Sequence, residues 1–195
     1  STLSGWALVK SDGKGITIAA QANYASQALF EVGFGSVAVE AVLPSDGPPS
    51  VQDSFTDVLI AAAAEAVGGA TKLLAMTSDY ANQRKQFGKP IAAFQAISHP
   101  LAECATELEG ARYLAYQAAC ARDDGQDAAH LARMAKVTAT ALFRRLASLA
   151  VQVHGGIGYS TEGEPQLFYR RSKYHELMYG TARDLRAAIA DRVLV

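Results

Sequence analysis

The run Tyr80-Ala81-Asn82-Gln83-Arg84-Lys85-Gln86-Phe87-Gly88-Lys89-Pro90-Ile91, with Phe94-Gln95 just beyond it, marks a corner in the chain. Gly88 allows a tight exit and Pro90 cannot continue a helix. Upstream, an Ala-rich segment that Asp53 or Ser54 can cap predicts a helix to about residue 82. It contains Gly68-Gly69, and each glycine costs a helix about 1 kcal/mol relative to Ala. Close approach of another helix is the plainest reason for the pair. Downstream, Leu101, Cys104, Leu108, Ala111, Leu114 and Ala118 form an approximate apolar stripe, predicting a second long helix over about 94–123. A third is expected over about 128–153, stopped by Gly155-Gly156-Ile157-Gly158, with shorter ones near 166–178 and 181–193. Long helices joined by short connections pack naturally as a four-helix-type bundle.

Before residue 50 the composition differs. Ala7-Leu8-Val9-Lys10, Ile16-Thr17-Ile18 and Val37-Ala38-Val39-Glu40-Ala41-Val42-Leu43 read as strands of a small sheet separated by turns. Pro44-Ser45-Asp46-Gly47-Pro48-Pro49-Ser50 reads as a linker. The expected organisation is therefore mainly α: a partial small β domain over 1–50, then a helical bundle over 51–195. Eighteen Lys+Arg against nineteen Asp+Glu argue against a nucleic-acid partner, which would require a concentrated basic surface. Half the residues are hydrophobic and 19% are charged, enough for a sizeable core and against disorder. No uninterrupted run of about twenty apolar residues is present, so no membrane span is expected. Cys104 and Cys120 would be separated by about 24 Å of helix, beyond disulfide reach. Reduced thiols and the lack of a visible leader predict a cytoplasmic protein. No metal site is expected.

Arg84 carries five donors in a fixed fork, suited to a phosphate or carboxylate, although an Arg at a helix end commonly serves the helix dipole. The motif Arg84-x-Gln86-Phe87-Gly88-Lys89-Pro90-Ile91-x-x-Phe94-Gln95 resembles a signature loop of the flavin-dependent acyl-CoA dehydrogenases. A second motif, Gln152-Val153-His154-Gly155-Gly156-Ile157-Gly158-Tyr159 with Thr161-Glu162, stands at the spacing of that family. The resemblance runs from about Leu8 to the C-terminus and implies a helical C-terminal domain preceded by a small β domain.

The resemblance also implies roles. Arg84 and Gln95 would hold the diphosphate and adenosine portion of FAD across a subunit interface, in a homo- or hetero-oligomer (dimer or tetramer). Gln152, Val153, His154, Gly155 and Gly156 would bind the same dinucleotide, with His154 also readable as a packing residue. Glycines there would let the main chain approach a cofactor closely. Gly180-Thr181 would meet flavin and substrate thioester, Arg183 would join Thr181 in binding the cofactor, and Ala81 to Arg84 would line the acyl-CoA channel. The implied partners are acyl-CoA and an electron-transfer flavoprotein.

Departures limit what can be carried over. The family removes a Cα proton with a carboxylate while hydride leaves Cβ for the flavin. In the commonest pattern a Glu precedes the Gly-Thr turn, but here Leu177-Met178-Tyr179-Gly180-Thr181 places Tyr179 there. A phenol ordinarily ionises near pH ~10, making it a poor substitute. The alternative position, early in the first bundle helix, falls near Val58, leaving neighbouring Asp57 as a weak candidate. Glu176 reads as a solvated surface residue. The first half of the β domain is also missing from the pattern. The chain is expected to be either part of a longer protein or a reduced subunit that cannot complete turnover alone. A base-lacking subunit of a heteromeric dehydrogenase and a helical interaction module are the alternative readings.

Overall fold

In the computed structural model, which describes residues 6–43 and 49–194, the chain beyond the Pro-rich join is helical almost throughout. Helix α1 spans Pro49–Gln83, α2 Gln95–Asp123 and α3 Ala129–His154. A short α4 (Gly156–Tyr159) leads to α5 (Pro165–Leu177) and α6 (Ala182–Val193). The first helix begins at Pro49, several residues before the expected cap. Proline is tolerated in a helix's first turn, where its missing N–H has no intrahelical acceptor. Of the expected linker, residues 44–48 lie outside the described residues.

The core follows the 3.6-residue period. Ala63, Ala66, Val67, Ala70 and Leu73 of α1 join Leu101, Cys104, Leu108 and Ala111 of α2 in one cluster. Leu142, Phe143, Leu146 and Ala150 of α3 complete it. Leu114 of the predicted α2 stripe is only partly buried, and Ala115 takes the inner position. Helices α2, α5 and α6 all pack on α3, making it the central element. A second, smaller cluster joins Leu59, Ala132, Val137 and Leu185, seating α6 beside the first half of α3. Gly69 confirms a close approach: a Cβ there would lie 2.7 Å from Cζ of Phe143. At Gly68 a Cβ would meet open space, so helix packing explains only one glycine of the pair.

The segment Asp53–Gln83 contains an 18-residue window of mean hydropathy 1.6, long and apolar enough by length and composition to cross a membrane. Counting uninterrupted apolar residues missed this, because alanines raise the average around scattered polar positions. A third of that window is buried within this chain, where Ala63, Ala66 and Ala70 let α1 approach its neighbours.

The chain divides into two compact units, Ser1–Phe55 and Thr56–Val195. In the first, β1 (Trp6–Leu8) pairs antiparallel with β4 (Ala41–Leu43), and β2 (Ile16–Ala20) with β3 (Phe30–Phe34). These are two separate two-stranded ladders, not the single small sheet expected. The predicted 37–43 strand shortens to Ala41–Leu43, the part facing β1. Ile18, Phe30, Val32 and Phe34 are all exposed on the second ladder.

Candidate functional site

After α1 the chain folds into a miniature hairpin, β5 (Lys85–Gln86) against β6 (Lys89–Pro90). Its tip, Phe87-Gly88, has φ of 52° and 80°, the left-handed pair of a type I′ turn. Phe87 in that conformation is unusual for an aromatic residue, and it is 92% exposed. The amide of Ile91 donates to the Arg84 carbonyl at 2.8 Å, closing the hairpin base. Arg84 and Gln95 therefore flank one compact corner, both exposed. Arg84 makes no ion pair with an acidic residue among the described residues. Lys89 lies 4.3 Å from the ring centre of Phe94, a cation–π contact that stiffens the corner. Phe87 was not singled out from sequence. An aromatic residue beside the turn glycine was the available signal.

The second motif forms the C-terminal turn of α3. Gly155 has φ 63°, and its amide caps the helix through the Val151 and Gln152 carbonyls. Gln152, Gly155 and Gly156 are exposed, while Val153 turns inward. His154 is buried and stacks on Tyr80 at 4.3 Å, with its Nδ1 2.8 Å from the Ala150 carbonyl. Its side chain is thus a packing group. The Tyr80 hydroxyl also donates to the His154 carbonyl at 3.4 Å, and the Arg84 amide donates to the Tyr80 carbonyl at 2.8 Å. Tyr80 thereby ties the two motifs, far apart in sequence, to one end of the bundle.

The third segment is the turn between α5 and α6. Tyr179 (φ 58°) and Gly180 (φ 94°) are both left-handed, which is costly for tyrosine. Thr181 caps α6: its hydroxyl accepts from the Asp184 amide at 3.4 Å and donates to the Asp184 carboxylate at 2.7 Å. Lys136 of α3, which has no exposed surface, reaches across to this turn. Its Nζ donates to the Gly180 carbonyl at 2.6 Å and to the Glu176 carbonyl at 3.2 Å. Burial pushes the Lys136 ammonium below the usual lysine range, opposed by the charge of Glu176. Glu176 is not the solvated residue expected. Its carboxylate is held by Lys173 at 2.7 Å and Arg144 at 3.1 Å.

Beside the turn, burial pushes the Tyr174 phenol up, with Tyr179 and Glu65 adding to the shift. His175 is buried, with Nε2 3.3 Å from the Glu65 carboxylate. Burial pushes this imidazole down despite that neighbour. Arg183 is exposed on the first turn of α6.

Two candidates are corrected. Asp57 is exposed and held by the Arg122 guanidinium at 2.7 and 3.4 Å. That hydrogen bond holds its carboxyl below the usual range, the wrong direction for a base that must collect a proton. Ala81 is fully buried in the core cluster, so its side chain offers no surface to a substrate. Its small size serves helix packing.

Arg84, Gln95 and Gln152–Gly156 thus share the Tyr80 end of the bundle. Tyr179, Gly180 and Thr181 are fastened at Lys136, near the opposite end of α3. About 27 Å of helix separates Lys136 from His154 at the 1.5 Å rise per residue.

The family description "acyl-CoA dehydrogenase, C-terminal domain" matches residues 45–194. Glutaryl-CoA dehydrogenase of Desulfococcus multivorans is 38% identical over 148 residues, 75% of this chain and 38% of that protein. A subunit of the caffeyl-CoA reductase–Etf complex of Acetobacterium woodii is 38% identical over 132 residues, 68% of this chain and 35% of its own. A solved glutaryl-CoA dehydrogenase–glutaryl-CoA complex superposes with TM-score 0.86 at 33% identity, covering 94% of this chain and 48% of that one.

The chain belongs to the acyl-CoA dehydrogenase family, whose members are FAD-dependent flavoproteins. It spans well under half the length of these two sequence relatives. The residues at the Tyr80 end fit a flavin dinucleotide. Arg84 offers a diphosphate-matching fork, Gln152 an exposed amide, and a Cβ at Gly155 or Gly156 would meet only open space.

Proposed function

We propose that this chain is the FAD-supporting helical portion of an oxidoreductase that forms an α,β double bond in an acyl-CoA thioester. FAD, when bound, supplies the electron acceptor, and an electron-transfer flavoprotein would take the electrons onward. Arg84, Gln95 and Gln152 would bind the dinucleotide together with the main chain of Val153 to Gly156. Gly180, Thr181 and Arg183 would face the thioester and ring end. The carrying observation is the separation of these two groups along α3 by about 27 Å of helix. One copy would present its Arg84 corner to a flavin whose other end meets the Gly180-Thr181 turn of a second copy or a paralogous chain. An oligomer follows from that division.

The second reading is a subunit that contributes no base. It is favoured by Tyr179 at the usual Glu position and by the engagement of Asp57 with Arg122. Tyr179, close to Tyr174, would fill the space beside the thioester.

Titrating FAD into the assembled apoprotein tests the first reading. Arg84→Ala should weaken affinity at least tenfold with folding intact, since a charge-assisted bidentate contact is lost. Unchanged affinity would remove the assignment. A second arm uses Tyr179→Phe, which should leave acyl-CoA turnover within a few-fold of wild type. A loss of ~10³-fold in kcat with FAD still bound would give Tyr179 a chemical role.

A further inference from the structure

Lys136 is the most unusual polar group in the bundle. It is wholly buried, sits in the middle of an otherwise helix-packing stretch, and directs its ammonium to main-chain carbonyls rather than to a carboxylate. Replacing buried charged groups with apolar ones of similar size is often neutral or stabilising, so stability alone is a weak reason for such a lysine. Its acceptors are specific. The Glu176 carbonyl belongs to the last turn of α5 and the Gly180 carbonyl to the residue just before the Thr181 cap of α6, so one ammonium holds the turn at both ends.

That turn needs holding. Tyr179 and Gly180 are both left-handed, and a tyrosine there persists only where its surroundings impose it. Gly180 is also pressed against Leu185, since a Cβ on it would lie 3.1 Å from Cδ2 of that residue. On the outer side, Lys173 and Arg144 grip the Glu176 carboxylate, fixing the residue whose carbonyl Lys136 holds from within. Thr181 is fixed in turn by its capping box with Asp184. The chain is therefore pinned at 176, 180 and 181, on both sides of Tyr179.

We propose that Lys136 is a positioning residue that clamps the α5–α6 turn and so sets where Tyr179 and Gly180-Thr181 meet the acyl-CoA thioester. The functional half of this inference rests on the acyl-CoA reading above, whereas the clamp itself does not.

The test uses Lys136→Met and Lys136→Gln in the FAD-loaded, assembled protein. Amide hydrogen exchange should quicken at least tenfold over residues 177–181 in Lys136→Met, with the core of α3 unchanged. An unreactive thioether analogue of acyl-CoA, followed by its perturbation of the flavin absorption band, should bind at least tenfold more weakly. The melting temperature should stay within a few degrees of wild type. Lys136→Gln keeps a donor of shorter reach and should fall between the two. Unchanged exchange over 177–181 in both variants overturns the proposal. Faster exchange with wild-type analogue binding overturns its positioning half. If wild type itself binds no analogue while exchange still quickens, the acyl-CoA reading fails and the clamp stands. If neither variant folds, Lys136 is a folding residue and the proposal is overturned.

Discussion

Gly68 and Gly69 stand side by side in α1 yet answer to different neighbours. A Cβ at 69 would intrude on the ring of Phe143, which is itself fixed in the core. Gly69→Ala should therefore destabilise the bundle by about 1–3 kcal/mol through overpacking. Gly68→Ala projects into open space and should stabilise by up to about 1 kcal/mol through helix propensity alone. Urea denaturation of the two variants checks the opposite signs. The glycine pair was visible in sequence, but which glycine mattered was not, because the deciding ring comes from a distant helix. The same limit applied to Lys136. A lysine inside a helical stretch reads as solvent-facing until the turn it reaches is placed beside it. Ala81 shows the converse, since proximity to Arg84 in sequence suggested a ligand-facing role that helix rotation denies it.

Among the elements, the helices were legible because apolar spacing, glycine stops and prolines agree along the chain. What propensity could not supply was cross-helix pairing. The partnership of α5 with α1 through His175 and Glu65 is such a case, and it carries a pH signature. Burial depresses the His175 imidazole, so the unfolded chain binds more protons than the folded one as pH falls past about 6.5. This contribution to stability should be fully present above that pH and be lost as pH drops toward the folded value. Asp57, Asp127 and Asp184 are held low by their partners, so their contributions persist to more acidic pH and are lost only as those carboxylates protonate. Replacing His175 with Phe should flatten the dependence of urea midpoint on pH between about 7 and 5. An unchanged slope would assign it to another group. The corner hairpin was legible only in part: the turn was expected, but not that Phe87 would be raised at its tip.

At the scale of the molecule, a β segment followed by a helical bundle was readable from the change of composition near residue 50. How the strands pair was not, because short Val- and Gly-containing runs fit several registers and no turn pins them. The first unit holds two narrow ladders with apolar side chains facing outward, and the second is a bundle closed around α3. Isolated two-stranded ladders are marginal in water. That contrast makes the chain uneven in its resistance to cleavage. Residues 6–43 should open locally far more often than the bundle, and a protease acting on transiently opened segments will cut there first. A brief digestion with thermolysin, followed by mass measurement, should therefore trim the β segment. It should leave a resistant core beginning within α1, and the exposed Phe87 at the tip of the hairpin that follows α1 marks the next point to yield.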